Sequence, residues 1–139
     1  FGVGTRMNTS ADAPYLDCAY KLQEFAGLPR RKRSEGKATW PGRKQVLRRL
    51  DGDGRLACDL LTTMDDAPAG EGLLREAMRG GRRLAASPSL QEIRSFAQAE
   101  LARLPDDLQA LSAAQAYPVQ VSDSLRALAR EVDSRTSPD

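Results

Sequence analysis

The chain has 139 residues, with 21 basic and 19 acidic side chains, a net charge of +2, 40% hydrophobic and only 5% aromatic residues. That is the composition of one ordinary globular domain whose core rests on Leu, Val and Ala. The charge is too small to imply a nucleic-acid or membrane partner by itself, no apolar run approaches the roughly 20 residues that span a bilayer, and the absence of histidine removes His-based triads, phosphohistidine and His-ligated zinc from this chain.

No secretory signal pattern is present. The first residue is Phe1 and opens directly on a motif, so the chain is expected to start inside a longer gene product. Cys18 and Cys58 lie far apart in apolar alternating runs. They read as two reduced core thiols of a cytoplasmic protein, not as a disulfide or a metal site.

In chain order, Phe1 to Thr5 (FGVGT) reads as a short strand end running into a glycine turn, and Ser10 to Pro14 as a loop. Leu16, Cys18, Tyr20 and Leu22 alternate with polar residues, the period of a half-buried strand. Gly27 to Pro29 marks a turn and Arg30 to Ser34 a polar strand. Glu35 to Lys44, with two glycines and a proline, is an irregular connection. Val46 to Leu50 and Leu56 to Leu61 flank Asp51-Gly-Asp-Gly54 and predict a hairpin, with Leu56, Cys58 and Leu60 on one face.

Beyond a loop at 65–70 the pattern turns helical. Leu73, Leu74, Ala77 and Met78 fit one helix stopped by Gly80-Gly81. Arg82 to Ala86 reads as a brief strand. Ser89 and Glu92 form a capping box before Leu90, Ile93, Ala97, Leu101 and Leu104, the clearest helix in the chain. Pro105 opens a short helix with Asp106 and Asp107 in its first turn. Ser122 caps a last helix through Leu125, Leu128, Ala129 and Val132, and Asp133 to Asp139 reads as a frayed tail. Strands and a hairpin fill the first half and helices the second, an α+β arrangement.

Gly2-Val3-Gly4-Thr5 is the most informative stretch. Glycines let the backbone approach an oxyanion closely, and successive N–H groups in such a turn form an anion-binding nest. Thr5 adds a hydroxyl donor and Arg6 a positive charge. By itself a GxGT is first of all a plain tight turn. Lys32, Ser34, Lys37, Arg43 and Lys44 form a basic strip that either meets phosphates or is a solvated face. Trp40 beside Pro41 either stacks on a ring or packs on a neighbouring element. Asp51 to Gly54 resembles the opening of a calcium loop but lacks the later acidic ligand. No carboxylate pair stands out for acid–base work.

Taken together, FGVGTRMNTSADAP, AYKLQEFAG and PRRKRSEGKATWPGRKQV resemble the late part of the nicotinate phosphoribosyltransferases. The family pattern is FGVGT, a loop ending near Pro, a VYKL-type strand, and then K-x-S/T…K-x-T-x-PG-x-K. It falls here on Gly2 to Thr5, Pro14, Ala19 to Leu22, Lys32, Ser34, Lys37, Thr39, Pro41, Gly42 and Lys44. Asp17-Cys18 and Asn8 depart from the pattern away from the phosphate-contact positions.

The resemblance implies a piece of the type II phosphoribosyltransferase barrel-plus-sandwich architecture. Residues 1–14 would be a barrel strand end and phosphate loop, 15–66 a strand-rich part of the sandwich, and 67–139 a C-terminal helical segment. It also implies an ATP-coupled, magnesium-dependent reaction of nicotinate with phosphoribosyl pyrophosphate to give nicotinate mononucleotide, in a homodimer. Gly2, Gly4, Thr5 and Arg6 would hold the ribose 5′-phosphate, and Lys32, Lys37, Arg43 and Lys44 would make phosphate or interface contacts. Catalytic residues, metal and cofactor would belong to the upstream part, and this chain alone would be inactive. The alternative is a non-enzymatic basic module binding RNA or an acidic partner through Arg30 to Lys44.

Overall fold

The computed structural model describes residues 4, 9, 20–66 and 68–136. The expected strand at 16–22 and Cys18 therefore lie outside the described residues, apart from the strand's last three positions, which carry no strand.

The chain enters a two-residue hairpin, β1 (Glu24–Phe25) and β2 (Leu28–Pro29). Its turn is Ala26-Gly27, both with positive φ of 51° and 74°, the mirror-image geometry that matches strand twist. The turn thus begins one residue before the place the sequence suggests, and Leu28-Pro29 is strand. The polar strand expected at Arg30 to Ser34 does not form. Thr39 N–H donates to Lys32 C=O at 3.0 Å and Lys32 N–H to Thr39 Oγ1 at 3.0 Å, so a side chain closes the loop where a ladder would continue.

The main sheet is mixed, in the order β5-β3-β4-β8. β3 (Lys44–Leu50) and β4 (Leu56–Thr63) form the expected hairpin. Asp51 Oδ1 accepts the N–H groups of Asp53 at 3.0 Å and Arg55 at 2.9 Å, a side-chain-organised turn. The register shifts between Arg49 and Leu50, so that Arg49 faces Cys58 but Leu50 faces Leu56. Because the side-chain period in a strand is two, this bulge moves Leu56 off the Cys58–Leu60 face and onto that of Asp59. The shared face predicted for Leu56, Cys58 and Leu60 therefore breaks at Leu56.

β5 (Glu71–Gly72) pairs with β3. The helix expected through Leu73 to Met78 is absent, because its backbone donors are taken by β3. Leu73 N–H reaches Val46 C=O at 2.9 Å and Leu74 N–H reaches Gln45 Oε1 at 2.8 Å. Gly80 and Gly81, with φ of 55° and 77°, are the two-residue turn between β6 (Met78–Arg79) and β7 (Arg82–Arg83), not a helix stop.

α1 (Leu90–Ala102) carries the full capping box of Ser89 and Glu92. α2 (Asp106–Gln109) follows with Pro105 as its N-cap. β8 (Val119–Val121), too short to show a period, then runs parallel to β4. It delivers the chain into α3 (Asp123–Thr136), which continues four residues into the stretch expected to fray. Leu125, Ala129 and Val132, spaced by four and three, are buried, as are Leu47, Leu56 and Leu60 in the sheet, and α3 packs on β4. Full burial of a leucine such as Leu125 is worth about 1.5–3 kcal/mol. The described fold is α+β, with the sheet drawing strands from both sides of residue 66.

Candidate functional site

Of the four residues expected to hold phosphate, Gly2, Thr5 and Arg6 lie outside the described residues. Gly4 is exposed, and a Cβ there would meet nothing within 4 Å.

The basic strip divides by role. Lys32, Lys37 and Arg43 are exposed. Lys44 is half-buried, and its Nζ donates to the carbonyl of Trp40 at 2.8 Å and to that of Gly42. Burial holds its pKa below the ordinary lysine value, against the opposing pull of Glu24. Lys44 thus ties the Trp40-Pro41-Gly42 turn in place. The turn itself is buried: Gly42 has φ of 74°, and a Cβ there would come within 3.1 Å of Leu128 on α3. The left-handed backbone and the helix contact together require glycine. Gly42 N–H also donates to Gln23 C=O at 2.7 Å and Arg43 N–H to Glu24 Oε2 at 3.2 Å. The proline–glycine segment is therefore a junction of β1, β3 and α3.

Trp40 packs within the fold, with the guanidiniums of Arg31 and Arg126 over its ring at 6.0 and 5.9 Å from the centroid, cation–π geometry. Arg31 and Arg33 both reach Asp133, at 3.4 and 3.6 Å. Sequence reasoning missed these pairs. The one available signal was a carboxylate late in α3, in a chain with an Arg-rich stretch at 30–33.

An open groove of about 610 Å³ runs between β1–β2, the ends of β3 and β4, and α3. Among the described residues Glu24, Asp65 and Glu131 line it against a single cation, Arg43, a charge that disfavours a phosphate. At its edge Thr62, fully buried, lies 2.9 Å from Asp66 Oδ2 and 3.0 Å from Ser122 Oγ. Ser124 Oγ donates to the same carboxylate at 2.7 Å. The hydrogen bonds from Ser124 and Thr62 hold Asp66 below its ordinary pKa. Ser122 Oγ caps α3 by accepting Leu125 N–H at 3.2 Å.

On the other face of the sheet Arg48 meets Asp59 through two bonds of 3.0 and 3.1 Å and Glu100 at 3.2 Å. Arg103 bridges Glu100 at 2.7 Å and Glu71 at 2.8 Å, and Tyr117 OH donates to Asp59 at 3.2 Å. Every charge in this cluster is partnered, which is the arrangement of a structural tie and not of a reactive centre. Among the described residues no three His, Cys, Asp or Glu are grouped to hold a metal ion, and no helix is long and apolar enough to cross a membrane. Cys58 is a half-buried free thiol.

Residues 69–129 match the family model described as "Nicotinate phosphoribosyltransferase C-terminal domain". The Mycobacterium tuberculosis protein named nicotinate phosphoribosyltransferase pncB2 is 41% identical over 90% of this chain and 27% of its own length. Mouse nicotinate phosphoribosyltransferase is 33% identical over 96% of the chain and 30% of its own length. The crystal structure of human nicotinic acid phosphoribosyltransferase superposes with a TM-score of 0.72 at 29% identity, covering 83% of this chain and 26% of that one. The chain thus spans between a quarter and a third of the length of these three proteins.

Proposed function

From a chain that carries a nicotinate phosphoribosyltransferase C-terminal domain, we propose that it is the C-terminal part of an enzyme joining nicotinate to phosphoribosyl pyrophosphate. The products are nicotinate mononucleotide and pyrophosphate. The observation that carries this reading is the 41% identity to pncB2, which extends over 90% of the chain and beyond the matched domain.

Departure of pyrophosphate leaves positive charge on the ribose C1, so the sugar must be held while its bond breaks. In this reading the 5′-phosphate is that handle. The backbone N–H groups around Gly2 and Gly4, the Thr5 hydroxyl and the Arg6 guanidinium bind its oxygens as charge-assisted donors. Lys32, Lys37 and Arg43 add exposed positive charge for phosphate or for a partner subunit, while Lys44 acts through the Trp40-Pro41-Gly42 turn.

The complete enzyme is a cytoplasmic homodimer coupled to ATP and magnesium. In this reading the magnesium ion is held by residues of the upstream part. With no histidine in the chain, a phosphorylated histidine and the groups that grip nicotinate lie upstream, and the 139 residues alone are inactive.

A hydrogen bond to a charged group is worth about 1.5–3 kcal/mol. In the complete enzyme Thr5→Ala is therefore expected to raise KM for phosphoribosyl pyrophosphate by roughly tenfold or more while KM for nicotinate stays close to wild type. Steady-state kinetics in both substrates checks this, and an unchanged KM for phosphoribosyl pyrophosphate removes Thr5 from the site.

A further inference from the structure

α1 has the clearest helical sequence in the chain and almost no burial in the fold. None of its thirteen residues is buried. Leu90, Ile93, Phe96 and Leu101 are 82%, 49%, 67% and 60% exposed. At 100° per residue Ile93, Phe96, Ala97, Glu100 and Leu101 fall on one arc. Glu100 on that arc reaches Arg48 in the sheet, and the following Arg103 reaches Glu71. The helix is thus anchored at its C-terminal end, with its apolar arc turned toward the β5 edge, and its first turns overhang. Phe96 lines a groove of about 330 Å³ with Leu73, Arg75 and the Arg48–Glu100 pair. Arg48 and Arg75 balance Glu71 and Glu100 in its lining, so the groove offers a partner apolar contact more than net charge.

We propose that this face, the arc Leu90–Ile93–Phe96 with the Leu73 groove, is where the upstream part of the complete polypeptide docks onto the C-terminal domain. The inference rests on the functional reading above for the existence of that upstream part. Three observations choose this occupant. The matched relatives carry roughly 70% of their length outside the region this chain covers, so most of the enzyme is available to cover the face. A helix of thirteen residues is marginal in water without tertiary packing, yet α1 has a full capping box and one anchored end, as expected of a helix completed by a partner. Finally, the exposed arc amounts to only a few hundred Å², below the roughly 800 Å² per partner that a free-standing interface buries. A covalently linked segment works at a high effective concentration and needs less.

The test is hydrogen–deuterium exchange of the complete enzyme, read on peptides covering 90–102 at two protein concentrations that bracket subunit dissociation. Protection of these amides at both concentrations is expected. Ile93→Asp/Phe96→Asp should speed exchange there at least tenfold while peptides of α3 stay protected, and Gln98→Asp, on the opposite arc, should change nothing. Fast exchange in the wild type at both concentrations means the face is free and overturns the proposal. Protection lost on dilution assigns the face to a second copy and also overturns it. If the double variant unfolds α3 as well, the wild-type concentration series alone decides. Nicotinate mononucleotide synthesis is assayed in the same preparation. Its absence would count against the functional reading, whereas activity with an unprotected α1 would count against docking alone.

Discussion

At the scale of single residues, Asp59 holds the largest share of the fold. It sits in an apolar strand, about nine-tenths buried, and takes two hydrogen bonds from Arg48 and one from Tyr117. These bonds raise the Arg48 guanidinium further above its already high pKa, while burial first, and then the Asp59 charge, raises the Tyr117 phenol. Removing one partner of a buried pair leaves the other uncompensated. Asp59→Asn is therefore expected to destabilise the fold by about 2–3 kcal/mol, seen as a thermal unfolding midpoint several degrees lower in the complete enzyme. An unchanged midpoint would contradict the role given to the cluster. The hairpin was legible in the sequence, although the pairing of Arg48 with Asp59 needs its register shift between Arg49 and Leu50. The bonds to Glu100, Tyr117 and Glu71 were not, because they span up to 58 residues and no local pattern records them.

At the scale of elements, capped helices were the readable part and glycine pairs the ambiguous one. Ser89 with Glu92 and Ser122 before α3 act as their sequence contexts suggest, because a cap is a contact within three residues. Gly80-Gly81 has two meanings, a helix stop or a two-residue turn, and β3 decides between them by taking the donors of Leu73 and Leu74. Gly81→Val forces a β-branched residue to φ of 77°, at a cost of about 1–2 kcal/mol. The expected result is faster tryptic cleavage at Arg79 and Arg82 with α3 still resistant, and equal cleavage rates would argue against the turn.

The start of α3 also carries a pH signature. Asp66 is held below its ordinary pKa of 3.8 by Ser124 and Thr62. A carboxyl with a depressed folded pKa adds stability that is present above its unfolded value and lost as pH falls through the folded one. Asp66→Asn should therefore lower stability at pH 7 and flatten the loss of stability below about pH 4. Parallel denaturation curves for wild type and variant across that range would show that the carboxylate contributes nothing.

At the scale of the whole molecule, the described chain is a mixed sheet with α3 packed on it and α1 left uncovered. It superposes with a TM-score of 0.72 on a solved structure of which it covers 26%. The α+β class and the central hairpin were legible from periodicity and turn residues. The parallel strand β8 was not, since three residues show no period and its partner lies some sixty positions earlier. The site divides in the same way. Pro41, Gly42 and Lys44 proved to be a structural junction, for which the φ of Gly42 and the approach of Leu128 give the reason. The phosphate contacts proposed for Gly2, Gly4, Thr5 and Arg6 rest on the motif, and their ligand would be bound together with residues from the rest of the enzyme.

The central claim is that this chain is an anchoring part of a nicotinate phosphoribosyltransferase and not a catalyst by itself. It is tested most directly by assaying nicotinate mononucleotide formation from nicotinate and phosphoribosyl pyrophosphate, with ATP and magnesium, for the complete polypeptide and for residues 1–139 side by side. The account predicts product from the complete polypeptide and none from the 139 residues. Product from the 139 residues alone, or none from a folded complete polypeptide, would contradict it.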